Sequence, residues 1–284
     1  MAKILVNFAN DRFEPARKHN SKTGLTKGGF DRVVECRIED VEESYRAKYS
    51  DILAIKRGFG LWLWKPYLIK KTALEANEND IIFYCDSGTF FIDSAEPIFE
   101  ALNERSIWVS DIPLFESQWT HDRCFDIANA LGDNYLNTHQ IQATFFGLRV
   151  CDESIAFLEE WLALCEEPNF LNPGCVPAGS RCIAHREDQS ALSDQSALSL
   201  LCKKFGIEPH KDPTQYGRLP EKYFAPGRLW EEPSHPDDVY APFIVLHRSP
   251  EMNIKDVVRQ YACAILPRSI SIHLIDSNHI PPSN

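Results

Sequence analysis

Residues 80–88 read Asp-Ile-Ile-Phe-Tyr-Cys-Asp-Ser-Gly, an unbroken apolar run that stops at a carboxylate. A strand without polar alternation is buried on both faces, as an inner strand of a parallel sheet covered by helices is. This segment therefore requires a chain that can lay helices over two faces of a sheet. The rest of the sequence supplies them. Strands are predicted at Ile4–Phe8, Arg32–Cys36, Ser106–Ser110, Gln142–Val150 and Phe243–His247. Helical spacing predicts helices over Ile38–Tyr49, Tyr67–Ala76, Glu153–Cys165 and 188–204, with Pro66 at a first helical turn, where its missing N–H costs nothing. Strands alternating with helices give an α/β chain with crossover helices. Residues 166–184 and 208–242 are rich in proline and turn residues, and no linker separates them from what precedes. One domain over 1–284 is expected, with a loop-rich C-terminal third.

Composition narrows the partners. The chain has 284 residues, 44% hydrophobic and 25% charged, with a net charge of -11. No basic run is present, which argues against nucleic acid, because phosphate neutralisation needs clustered Lys and Arg. The apolar start, Ile4 to Phe8, is too short for a secretory signal, and no stretch reaches the ~18 apolar residues of a membrane span. Nine cysteines at irregular spacing, with no C-x-x-C, read as reduced, mostly buried thiols. A cytoplasmic protein is expected, and peripheral docking at a membrane is compatible with it.

Asp86 closes its strand where open α/β sheets bind ligands, beyond the carboxyl ends of the strands. Ser87 and Gly88 after it leave room for a phosphate or a metal. Upstream, Gly58-x-Gly60-x-Trp62-x-Trp64-Lys65-Pro66-Tyr67 breaks the chain and starts a helix. Lys65 at that helix start suits an anionic diphosphate. One of Trp62 and Trp64 is expected to pack the helix on the sheet.

Together these motifs resemble bacterial and viral glycosyltransferases of the A-type (GT-A) nucleotide-sugar fold, a group found in capsule and O-antigen gene sets. Further along, Trp119-Thr120-His121-Asp122, Asn137-Thr138-His139-Gln140, the His185-Arg186-Glu187-Asp188-Gln189-Ser190 block and Leu200-Leu201-Cys202-Lys203-Lys204 also match in order. The resemblance runs from residue 3 to about 250. It implies a single GT-A-like Rossmann-type domain with a mostly parallel central sheet and flanking helices. Residues 1–150 would bind the nucleotide-sugar, and 151–284 would complete the acceptor and metal sites. It implies transfer from a nucleoside-diphosphate sugar, UDP favoured, to a saccharide acceptor in surface polysaccharide synthesis. It also implies Mn2+ or Mg2+ held by Asp86 and His247. A-type transferases in general usually carry Asp-x-Asp, whereas this chain, like the group it resembles, has Asp86-x-Gly88, so one carboxylate would act with help from elsewhere. Asn7, Arg57, Trp62, Trp64, Lys65, Asp86, Ser87, Gly88, Gln189 and Asp194 are the implied donor contacts, and the resemblance implies that whichever of Trp62 and Trp64 does not pack the helix floors a sugar or base.

Catalytic roles implied by the resemblance fall on Asp188, Asp122 and Gln140. An inverting enzyme would use Asp122 or Asp111 as base. A retaining one, favoured here, would place Asp188 or Gln140 near the anomeric carbon. The sequence Asp-Gln-Ser-Ala-Leu-Ser occurs twice in tandem, at 188–193 and 194–199. On a helix the copies face about 120° apart. Asp188 is the expected functional copy, at a loop-to-helix boundary, and Asp194 the solvated mid-helix one. Two rivals stay open. One is a phosphatase or phosphotransferase of the haloacid-dehalogenase type with Asp86 as nucleophile. The other is a non-catalytic nucleotide-sugar-binding module.

Overall fold

The structure is a computed structural model, and it describes residues 1–171, 194–224 and 229–274. A five-stranded sheet forms its centre. It contains β1 (Lys3–Phe8), β2 (Arg32–Cys36), β3 (Ile81–Cys85), β5 (Ile107–Trp108) and β8 (Phe145–Arg149) in the order β2-β1-β3-β8-β5. β1 is parallel to both β2 and β3, while β8 runs antiparallel to β3 and β5. The expected mixed α/β architecture, a mostly parallel sheet with flanking helices, is therefore present.

The apolar run Ile81–Cys85 is the sheet's inner strand: every residue of β3 is buried. Alternate side chains go to opposite faces, as period-two geometry requires. Ile4, Val6, Ile82 and Tyr84 join a core on one face, beneath the helices Trp64–Glu75 and Asp152–Glu166. Leu5, Ile81, Phe83 and Cys85 join a second core on the other, with Phe99 and Leu102 of the helix Glu96–Glu104. All seven described cysteines are free, and six of them are buried.

Two short ribbons extend the sheet at one end. β4 (Thr89–Phe91) pairs antiparallel with β9 (Ile244–Leu246), and β6 (Asp111–Phe115) with β7 (His139–Ile141). The β4–β9 pair brings the C-terminal third back to the segment that follows Asp86. In register, Phe8 of β1 and Asp86 after β3 lie at the same end of the sheet, and Thr144, before antiparallel β8, joins them there.

Candidate functional site

That end of the sheet holds a cavity of about 430 Å³. Its walls are aromatic: Phe8, Phe13, Phe59, Trp62, Trp64 and Tyr84. Asp86, Ser87 and Gly88 line one side, and the cations Arg12, Lys56 and Arg248 face in around them. Asp86 is the single carboxylate lining it among the described residues.

The Gly-x-Gly-x-Trp-x-Trp stretch builds one wall by an unusual backbone. Five consecutive residues have positive φ: Gly58 (58°), Phe59 (53°), Gly60 (92°), Leu61 (53°) and Trp62 (61°). Left-handed backbone costs a non-glycine residue roughly 1–2 kcal/mol. The two glycines are needed for space as well. A Cβ on Gly58 would fall 2.4 Å from the Trp62 ring, and one on Gly60 would fall 2.7 Å from the Leu53 Cα. The strain is offset by anchoring. Leu61 is buried, Trp64 stacks on Phe8 with ring centroids 3.6 Å apart, and its Nε1 donates to the Gly58 carbonyl at 2.9 Å. Trp64 therefore fixes the helix to the sheet, and Trp62 and Phe59 present aromatic surface to the cavity.

Beneath the cavity floor lies a buried charge cluster. Lys65 Nζ is 2.8 Å from Asp194 Oδ2 and 3.6 Å from an Asp86 carboxylate oxygen, and it donates to the Ala143 carbonyl at 2.9 Å. The Tyr84 hydroxyl donates to Asp86 Oδ1 at 2.6 Å. Burial alone would push the Lys65 ammonium down. Asp194 and Asp86 outweigh it and hold the group above its ordinary value. One ammonium cannot compensate two carboxylates, so burial, opposed by Lys65, leaves Asp194 raised to about 6.

Several expectations change here. Lys65 does not line the cavity. It is 2% exposed and committed to two aspartates, because the first turn of its helix faces the sheet rather than the ligand space. Asp194 is not a solvated mid-helix residue: it is buried in the first turn of the helix Asp194–Lys204. Asp188 and Gln189 lie outside the described residues. Asn7 is fully buried, its amide donating to Asn20 and Ser21, so it supports the sheet end rather than a ligand. Arg57 lies over the Trp62 ring at 5.4 Å, outside the cavity lining. Gln140 is consumed in a buried network: it donates to Glu116 and Thr120 and accepts from Gln195 at 2.6 Å. Asp122 opens the helix Asp122–Ala128 and lines neither cavity described here. The sequence reading did not anticipate Phe8, Phe59, Arg12, Lys56 or Arg248. Arg248 had a signal, since it follows directly on His247 at a strand end.

The donor set for a metal does not assemble among the described residues. Asp86 reaches the cavity, but His247 packs against Phe90, with ring centroids 5.8 Å apart, and is absent from the lining. Burial, with His19 beside it, pushes His247 down to about 4. No group of three His, Cys, Asp or Glu could hold an ion among the described residues. Asp86 already meets Tyr84 and Lys65, the neighbouring carboxylate of Asp194 is buried and paired with Lys65, and the expected partner His247 does not line the cavity.

A second cavity, of about 290 Å³, adjoins the first through Arg248, which lines the first and lies over the Tyr216 ring of the second at 5.7 Å. Asp111, Asp212, Glu232 and His235 line it. Asp111 accepts from His235 Nε2 at 2.8 Å and lies 3.6 Å from His139 Nδ1. Burial would raise the Asp111 carboxyl, and the two histidines hold it below its ordinary value.

No protein-family model matches the chain, and no curated protein matches it in sequence. Among solved structures it is similar to mouse xyloside xylosyltransferase 1 in its apo form, with a TM-score of 0.47 at 8% identity, over 86% of this chain and 96% of that one. It is similar to the galactosyltransferase LgtC in complex with donor and acceptor sugar analogs, with a TM-score of 0.47 at 12% identity over 94% and 98%. It is also similar to the bifunctional glycosyltransferase WbbM, with a TM-score of 0.42 at 9% identity over 70% and 37%. At these values the chemistry has to be read from the cavities themselves.

Proposed function

We propose that this chain is a glycosyltransferase that moves a sugar from a nucleoside-diphosphate sugar, UDP-sugar by preference, to a saccharide acceptor, as in surface polysaccharide synthesis. One observation carries the reading: an aromatic-walled cavity at the carboxyl ends of β1 and β3 that gathers Arg12, Lys56 and Arg248 around a strand-end aspartate. Aromatic faces suit a planar base and the apolar face of a sugar. Cations suit a diphosphate. No helix among the described residues is long and apolar enough to cross a membrane.

In this reading the base lies against Phe59 and Trp62, and the diphosphate faces the cations. Charge developing on the leaving diphosphate is stabilised by groups already in place, usually the largest catalytic contribution. Asp86, steadied by Tyr84 and by the Lys65–Asp194 pair, directs the sugar. The acceptor enters from the second cavity, where the Asp111–His235 pair can hold a hydroxyl. The phosphatase alternative needs a second acid beside Asp86, and none lines the cavity among the described residues.

Thermal-shift titration of the wild type and Trp62→Ala with UDP, GDP, CMP and dTDP tests the reading. At about 100 times Kd a ligand that binds only the native state adds ~2.7 kcal/mol, a rise of several degrees. One nucleotide should give that rise, and Trp62→Ala should lose it. No rise with any nucleotide would remove the donor site from this cavity.

A further inference from the structure

We infer that donor binding in this chain is independent of a divalent cation and that Arg248 supplies the charge that holds the diphosphate; the inference rests on the nucleotide-sugar reading of the cavity.

The geometry turns on Gly88, where A-type transferases in general usually carry a second carboxylate. Here the Gly88 carbonyl accepts two N–H donors, from His247 and Arg248, each at 2.9 Å. A Cβ at position 88 would lie 3.2 Å from the Arg248 Cα and 3.5 Å from its nitrogen. The missing side chain is thus the space into which the backbone of Arg248 packs. Arg248 itself is held at a φ of 53°, a costly conformation for a residue with a side chain. Leu246 pairs with Thr89 in the β4–β9 ladder, so the strand delivers Arg248 directly to the segment after Asp86.

The result is an exchange of charge at one place. Where a second carboxylate would help hold a cation, this chain seats a cation of its own. Arg248 is exposed, lines the cavity, and forms no salt bridge among the described residues. Its charge also acts on Asp212, which lines the second cavity. Lys56, also exposed, lines the same cavity. A guanidinium is permanently charged and can bind phosphate oxygens through two parallel N–H donors. With a single carboxylate lining the cavity and His247 turned to Phe90, the charge available to a diphosphate is that of Arg12, Lys56 and Arg248, and Arg248 is the one seated against Gly88, two residues from Asp86.

Calorimetric titration with UDP and with UMP tests this, in EDTA and again with Mn2+, on the wild type, Arg248→Gln and Arg248→Lys. Ligand-free melting temperatures establish that the variants fold. In EDTA the wild type should bind UDP about tenfold or more tighter than UMP, one charge-assisted contact's worth. Adding Mn2+ should leave that ratio nearly unchanged. Arg248→Gln should bring UDP down to the level of UMP while UMP binding holds, and Arg248→Lys should restore part of the preference. UDP binding that appears only with Mn2+ would overturn the inference and leave the nucleotide reading standing. Metal-free UDP binding unaffected by Arg248→Gln would overturn the assignment to Arg248. No binding of UDP, GDP, CDP or dTDP in either condition would overturn both.

Discussion

At the scale of single residues, the Lys65 cluster shows how charge count decides protonation. Lys65 faces two carboxylates, so the buried one, Asp194, keeps its proton to about pH 6. An unfolded aspartate releases its proton near 3.8. Between those values the folded chain holds a proton that the unfolded chain has lost, so the stability Asp194 contributes is complete below pH 3.8 and is lost as pH rises towards 6. His247 runs the other way. Its folded value is pushed down to about 4, so its contribution is lost as pH falls. Only a difference between proteins isolates one group. Over pH 4 to 6.5, urea unfolding of the wild type should lose on the order of 1–3 kcal/mol relative to Asp194→Asn. Parallel pH profiles for the two proteins would show that Asp194 titrates normally.

At the scale of elements, the helix Asp194–Lys204 is placed by a polar network rather than by its apolar face alone. Glu116 is fully buried and accepts hydrogen bonds from Thr120, Ser199, Lys203 and Gln140. Ser199 also accepts from the Ile141 N–H of β7, and Gln195 accepts from the Ala143 N–H. Removing one partner of a buried ion pair leaves the other charge uncompensated. Glu116→Ala should therefore cost about 3–5 kcal/mol, and Glu116→Leu with Lys203→Met should recover most of it. Denaturant midpoints of the wild type, Glu116→Ala, Glu116→Leu, Lys203→Met and the double variant measure this, and a double variant equal to the sum of its two singles would mean that the two residues do not act as a pair. The same network explains what the sequence did and did not disclose. β1, β2, β3 and the helices Trp64–Glu75 and Asp152–Glu166 were legible, because their hydrophobic periods are set by the sheet they cover. The ribbon strands β4, β6 and β7 were not, being short and held by partners distant in the chain. The position of Asp86 was legible as a strand end. The inward turn of Lys65 was not, since it depends on Asp194 and on Ala143, which no local pattern connects to it. The tandem repeat concealed the buried setting of its second copy. Spacing said that the copies differ in facing, but burial of the second could be known only once its helix was packed against Trp161, whose Nε1 donates to the Asp194 carbonyl at 3.2 Å.

At the scale of the whole molecule, the question is whether the loop-rich C-terminal third is a separate unit. A chain of 284 residues is large enough to unfold through intermediates. β9 argues against a separable part. Its three residues enter three different cores: Ile244 packs with Phe83 and Phe99 under the sheet, Val245 with Phe90, and Leu246 with Tyr216 and Tyr223. Losing the pairing of β9 with β4 would open all three together, and with them the seat of Arg248 against Gly88. One cooperative transition is therefore expected. Far-UV circular dichroism and tryptophan fluorescence should give the same midpoint, since Trp64 and Trp161 report the first core, Trp108 the second, and Trp119 and Trp230 the third. Ile244→Ala removes buried methyl groups at the junction and should cost ~2–5 kcal/mol. It should lower both midpoints by the same amount. An early fluorescence step in that variant, with the far-UV signal still native, would show that the third core melts alone. The domain would then have to be divided at β9, and Arg248 would be carried to the cavity by a unit that can detach from it.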